Sequence, residues 1–151
     1  MKLQIFTDGG CSGNPGPAAI GVVIKDGAKT VKTLSRSIGQ GTNNIAEYTA
    51  LIVALQEALI LKADEVSVNT DSELMARQVS GAYAVKHENI KPLFEQVKHL
   101  VTGFKKFHIA HVPRGQNSEA DALVRQVLKK ASQDGRSDAY GVGEESPSSK
   151  G

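Results

Sequence analysis

The stretch Thr42-Asn43-Asn44-Ile45-Ala46-Glu47-Tyr48 is where the sequence changes its period. From here Ile45, Tyr48, Ile52, Leu55 and Leu59 follow at steps of three and four, the spacing of one apolar helix face. Thr42, Asn43 and Asn44 can accept hydrogen bonds from the free amides of a helix start, so the helix opens at this point. Working back towards the N-terminus, residues 2–7, 19–24 and 31–38 read as three strands. Between the first two, Asp8 to Pro17 is loop chemistry throughout, and Asp26-Gly27 is a hairpin signal. Working forward, Val66 to Thr70 alternates as a fourth strand, and Asp71-Ser72 can cap a short helix reaching about Ser80. A further helix runs from about Asn89 to Val101, with Pro92 tolerable only in its first turn. Phe104 to Val112 gives a fifth strand, and Asn117-Ser118 opens a last helix with Ala120, Leu123, Val124, Val127, Leu128 and Ala131 on one face. The order βββαβααβα predicts an α/β fold: a five-stranded mixed sheet, an antiparallel meander joined by crossovers to parallel strands, with helices on its faces.

Composition narrows the class. The length of 151 residues suits one domain, expected at 1–132, followed by a segment 133–151 whose Gly, Ser, Asp and Glu content predicts a disordered tail. No apolar run approaches the roughly 20 residues that span a bilayer, and the opening Met1 to Asp8 turns acidic too early for a signal peptide, so a cytoplasmic protein without membrane association is expected. Cys11 is the only cysteine, which excludes an intramolecular disulfide and every cysteine-based zinc pattern. The net charge of +2 is unevenly spread: residues 132–151 carry two basic and four acidic side chains, leaving 16 basic against 12 acidic in 1–131. Such an excess suits a polyanionic partner, all the more if some of the acids are neutralised by metal.

Four acids occupy similar places. Asp8 is expected to end the first strand, Glu47 to lie in the first turn of the long helix, Asp71 to end the fourth strand and Asp121 to lie in the first turn of the last helix. Strand ends and helix starts gather along one edge of such a sheet, so four distant carboxylates can converge there. Carboxylate oxygens are hard ligands suited to Mg²⁺, and two such ions roughly 4 Å apart serve phosphodiester hydrolysis. Each acid alone has a plainer explanation: Asp-Gly is a turn, Asp-Ser a helix cap, and an acid in a first helical turn complements the dipole.

The motifs taken together go further. Phe6-Thr7-Asp8-Gly9-Gly10-Cys11-Ser12-Gly13-Asn14-Pro15-Gly16 resembles the opening motif of type 1 ribonuclease H. Thr42 to Tyr48 is similar to its second, Thr70-Asp71-Ser72 to its third, and His111-Val112-Pro113-Arg114-Gly115-Gln116-Asn117-Ser118-Glu119-Ala120-Asp121 to its fourth, all in the family's order over about residues 2–131. The resemblance implies a ribonuclease H-like fold and an endonuclease that cuts the RNA strand of an RNA–DNA hybrid, leaving 3′-hydroxyl and 5′-phosphate ends. It implies Asp8, Glu47, Asp71 and Asp121 as catalytic metal ligands for two Mg²⁺ ions with substrate bound, Mn²⁺ being a substitute. It further implies contacts to the hybrid from Gly9, Cys11, Asn14, Thr42, Asn43, Asn44 and Ser72, the asparagines in the minor groove and Thr42 on a DNA-strand phosphate. No obligate protein partner is expected, and the protein should act as a monomer.

Two departures qualify the match. Many relatives place a histidine in the loop before the last catalytic Asp, whereas Pro113 to Ala120 holds none, and Arg114, its one basic residue, is the catalytic candidate able to meet a phosphate there. Many also carry a tryptophan-rich basic insertion after the third motif; this chain has no Trp, and Gly81 to Asn89 passes quickly into the next helix, leaving Lys86, His87 and Lys91 as a weak basic patch. Three functions stay open at this point: a hybrid-specific endoribonuclease; a broader nuclease that also cuts double-stranded RNA or is the detached nuclease domain of a reverse transcriptase; and a non-catalytic hybrid binder. Retention of four acids argues against the last, since a binder gains nothing from crowded like charges.

Overall fold

In the computed structural model, residues 1–133 are described; the expected tail at 133–151 falls outside them except for Gln133. Five strands, β1 (Lys2–Cys11), β2 (Gly16–Asp26), β3 (Lys29–Gly41), β4 (Glu65–Thr70) and β5 (Lys106–His111), form one sheet in the order β3-β2-β1-β4-β5. The β1–β2 and β2–β3 pairs are antiparallel, while β1–β4 and β4–β5 are parallel, as the order of elements requires. Helices α1 (Asn43–Ile60), α2 (Glu73–Val79), α3 (Lys91–Val101) and α4 (Ser118–Gln133) complete the fold. Alternate residues of β1 and β2, Leu3, Ile5, Val22 and Ile24, are buried with Tyr48, Leu51 and Leu55 of α1, while α4 packs on β1, β2 and β3. Burying each large side chain of that core contributes about 1.5–3 kcal/mol.

Several boundaries differ from expectation for physical reasons. Of the expected loop only Ser12 to Pro15 is loop: β1 continues to Cys11, pairing Asp8 with Gly21 through Cys11 with Ala18. Asp8 therefore does not end its strand. Gly9 and Gly21 answer a packing demand, while Gly13, with φ +79°, serves the turn. A Cβ on Gly9 would lie 2.3 Å from the Ala46 carbonyl carbon, and one on Gly21 would lie 2.5 Å from the Ala120 oxygen, so α1 crosses β1, and α4 crosses β2, at bare backbone. Strand β5 is shorter than expected, though Val112 still donates its amide to the Thr70 carbonyl (2.8 Å). Helix α3 starts at Lys91, with Pro92 in its first turn, and a 3-10 turn at Arg114–Asn117, absent from the sequence reading, precedes α4. None of the described helices is long and apolar enough to cross a membrane.

Candidate active site

Parallel pairing of β1 with β4 stops at Thr7–Thr70, while β1 runs four residues further. Beyond that point β1 has no strand on its β4 side. The free Gly9 amide donates to Oε1 of Glu47 (3.1 Å), delivered by α1 where it crosses Gly9. Glu47 thus lies in the second turn of α1, not the first: Thr42 is the N-cap, accepting from the Ile45 amide, and no acid occupies the first turn. The helix dipole does not account for Glu47; its contact with β1 does. Asp71 emerges directly after β4 ends, and one carboxylate oxygen each from Asp8, Glu47 and Asp71 lie within 4.8 Å of one another.

Three like charges in a partly dry pocket oppose one another. Burial first, then the charges of Asp71 and Asp121, push the Asp8 carboxyl up to about 7. Burial, then Asp8 and Asp71, raise Glu47 well above the ordinary range. Oδ2 of Asp71 is buried and accepts no hydrogen bond. A cluster that raises its own pKa values and leaves an acceptor unsatisfied is costly unless a cation joins it, and hard oxygen donors fit a divalent ion such as Mg²⁺.

Asp121 lies in the first turn of α4, as expected, and is near enough to Asp8 to help raise its carboxyl pKa. It stands outside the tight trio, however, and its Oδ2 accepts from Nε of Arg125 at 2.9 Å. The sequence reading missed Arg125, although its i,i+4 spacing from Asp121 was a visible signal. Arg114 is 81% exposed and sets Nε 3.5 Å from Asp71 Oδ2, so it faces the cluster from the solvent side.

The residues expected to touch substrate fall into two groups. Cys11, Asn14 and Asn43 form one network: Asn14 Oδ1 accepts from the Asn43 amide (3.1 Å), and Asn43 Oδ1 accepts from the Cys11 amide (3.2 Å) and thiol (3.3 Å). Both asparagines spend their oxygens joining the loop to the start of α1, and both side chains are exposed, as is Asn44. Burial pushes the Cys11 thiol up, which keeps it a protonated donor. Elsewhere, Ser72 caps α2 by accepting from the Met75 amide, and Gly9 is buried under α1 with its amide on Glu47.

The arrangement has close relatives. The family model described as reverse transcriptase-like matches residues 6–127. The chain belongs to the ribonuclease H family, type 1. It is 39% identical over 156 residues to a bifunctional protein of Mycobacterium tuberculosis, a match covering all of this chain and 43% of that protein. The chain thus spans less than half the length of that relative. It also superposes on ribonuclease H1 of Halobacterium salinarum with a TM-score of 0.84 at 38% identity, covering 87% of this chain and 100% of the other. LC11 ribonuclease H1, solved in complex with an RNA/DNA hybrid, gives a TM-score of 0.80 at 43% identity, covering 85% and 98%. As in that family, a five-stranded mixed sheet carries helices on its faces.

Proposed function

We propose that this chain is an endoribonuclease that hydrolyses the RNA strand of RNA–DNA hybrids with two divalent cations, Mg²⁺ by preference with Mn²⁺ as a substitute, leaving 3′-hydroxyl and 5′-phosphate ends. The observation that carries the reading is the carboxylate trio, in which the buried Asp71 Oδ2 accepts no hydrogen bond and has only the exposed Arg114 guanidinium beside it, at 3.5 Å. Asp8, Glu47 and Asp71 would hold the ions, and Asp121 would join them. Bound there, the cations would ease deprotonation of a water so that it can attack phosphorus, and would neutralise charge at the leaving oxygen.

The chain's own groups do the rest. The Gly9 amide fixes Glu47 so that its carboxylate faces Asp8 without rearrangement. Arg114, permanently charged, can pair with a phosphate oxygen through its forked donors but cannot move a proton. Exposed Asn14, Asn43 and Asn44, on the loop after β1 and at the start of α1, present amide donors suited to the 2′-hydroxyls and base acceptors that a hybrid shows in its wide minor groove. Thr42 caps α1 through its oxygen while its proton stays available to a DNA-strand phosphate. Resemblance to the hybrid-bound LC11 enzyme supports this substrate.

The test is cleavage of matched RNA–DNA, RNA–RNA and DNA–DNA duplexes, each strand labelled in turn, with Mg²⁺, Mn²⁺ or EDTA. Cutting of the RNA strand of the hybrid alone, abolished by EDTA, is expected. Cutting of the RNA–RNA duplex at a similar rate would transfer the chain to the broader nuclease class. No cutting with either metal would overturn the proposal.

A further inference from the structure

Asn117 closes the 3-10 turn immediately before α4, a place where an asparagine ordinarily caps the helix with its side-chain oxygen. It does not do so here. The residue is 1% exposed, its Oδ1 meets no donor, and its Nδ2 instead donates 2.8 Å to the carbonyl of Thr7, 110 residues away in sequence. Leaving a buried oxygen unpaired costs about 1–3 kcal/mol, so an arrangement that accepts this cost in order to reach β1 needs a reason other than capping.

The path of the chain supplies one. Val112 is still bonded to Thr70 beside β5, and by Asn117 the chain is bonded to β1, which lies on the far side of β4. The segment 113–117 therefore crosses over the C-terminal end of β4, where Asp71 emerges, and Arg114 within it faces Asp71. At the landing point Thr7 directly precedes Asp8, while Asn117 lies four residues before Asp121. This side-chain hydrogen bond thus ties the residue before Asp8 to the segment that leads into Asp121, alongside the packing of α4 on β1 and β2, and it closes the crossing that holds Arg114 over Asp71.

We infer that Asn117 is a positioning residue of the metal site: its amide docks the start of α4 on β1 so that Asp121 can join Asp8, Glu47 and Asp71 around divalent cations. The inference rests on the metal reading proposed above and adds a residue that touches neither metal nor substrate. A cap or packing role would affect only stability. A positioning role must affect metal affinity, and must do so through Asp121.

The experiment is calorimetric titration of Mn²⁺, without nucleic acid, into wild type, Asn117→Ala, Asn117→Asp, Asp121→Asn and the Asn117→Ala/Asp121→Asn pair, at a temperature where circular dichroism shows every variant folded. Asn117→Asp keeps the shape and replaces the donor, so it serves if the alanine variant does not fold. Both Asn117 variants are expected to bind Mn²⁺ about five- to tenfold more weakly, a loss of about 1–1.4 kcal/mol. The effect should shrink below twofold in the Asp121→Asn background, because contacting residues couple non-additively. Hybrid kcat should fall about tenfold with little change in KM. Wild-type Mn²⁺ affinity in folded Asn117 variants, or an undiminished effect without Asp121, would overturn the inference and leave the metal site standing. Absence of Mn²⁺ binding to wild type would overturn the metal reading itself.

Discussion

The trio Asp8, Glu47 and Asp71 and the fourth acid, Asp121, reach the same edge of the sheet by different means. The trio is placed by the backbone: β1 outruns β4, Asp71 follows the last paired residue, and α1 crosses bare Gly9 so that Glu47 meets the Gly9 amide. Asp121 is carried by a helix that packs on β1 and β2 and whose start is further tied to β1 by the Asn117 side chain, and its own oxygen is engaged by Arg125. The trio is thus preformed and electrostatically strained, whereas the fourth acid is adjacent and compensated. On the metal reading proposed above, such a site would hold its main ligands rigidly and recruit the last one.

That contrast ranks the expected effects of mutation. Asp8→Asn or Asp71→Asn should lower Mg²⁺-dependent hybrid cleavage at least a thousandfold, about 4 kcal/mol of barrier, with an unchanged circular dichroism spectrum. Substantial activity in both would break the division at its root. Arg114→Ala should lower kcat roughly ten- to a hundredfold while the Mg²⁺ dependence keeps its shape, because the carboxylates are untouched. Wild-type kinetics would return Arg114 to a surface role, and a large rise in the Mg²⁺ requirement would make it part of the metal site.

The strain itself should be measurable as pH-dependent stability. Asp8 titrates near 7 when folded and near its ordinary 3.8 when unfolded, so between those values the folded protein binds the extra proton. The Asp8 contribution to stability without metal should be fully present below about pH 4 and be lost as pH rises through about 7. Thermal melts in EDTA between about pH 5 and 8 should therefore show a falling Tm, and Asp8→Asn should flatten the fall and melt higher than wild type at pH 8. A flat wild-type profile would mean that the carboxylates are not crowded. The smallest effect belongs to Arg125→Ala, because its exposed i,i+4 pair with Asp121 is worth well under 1 kcal/mol. The Mg²⁺ concentration at half-maximal rate should change less than about threefold, and a greater change would show Arg125 to be more than a counter-ion.

Much of this was legible in the residues. Period changes at Thr42 and Val66 delivered the element order and the mixed sheet, because core burial imposes its periodicity on the chain. The motif resemblance singled out the acids that the fold brings to one edge. Close approach was harder to read: Gly9 looked like a turn residue because nothing local shows that α1 crosses there. Glu47 was placed a turn too early for a similar reason, its partner being 38 residues away. Asn117 looked like a helix cap because the residue type suits one, and only the long-range bond to Thr7 shows otherwise.

The central claim is that a preformed trio binds divalent metal and that Asp121 completes the site. Mn²⁺ titration of the free protein tests it most directly, comparing wild type with Asp71→Asn and Asp121→Asn. The account predicts that binding is lost in Asp71→Asn and weakened but retained in Asp121→Asn. Equal binding by Asp71→Asn and wild type, or a greater loss in Asp121→Asn than in Asp71→Asn, would contradict it.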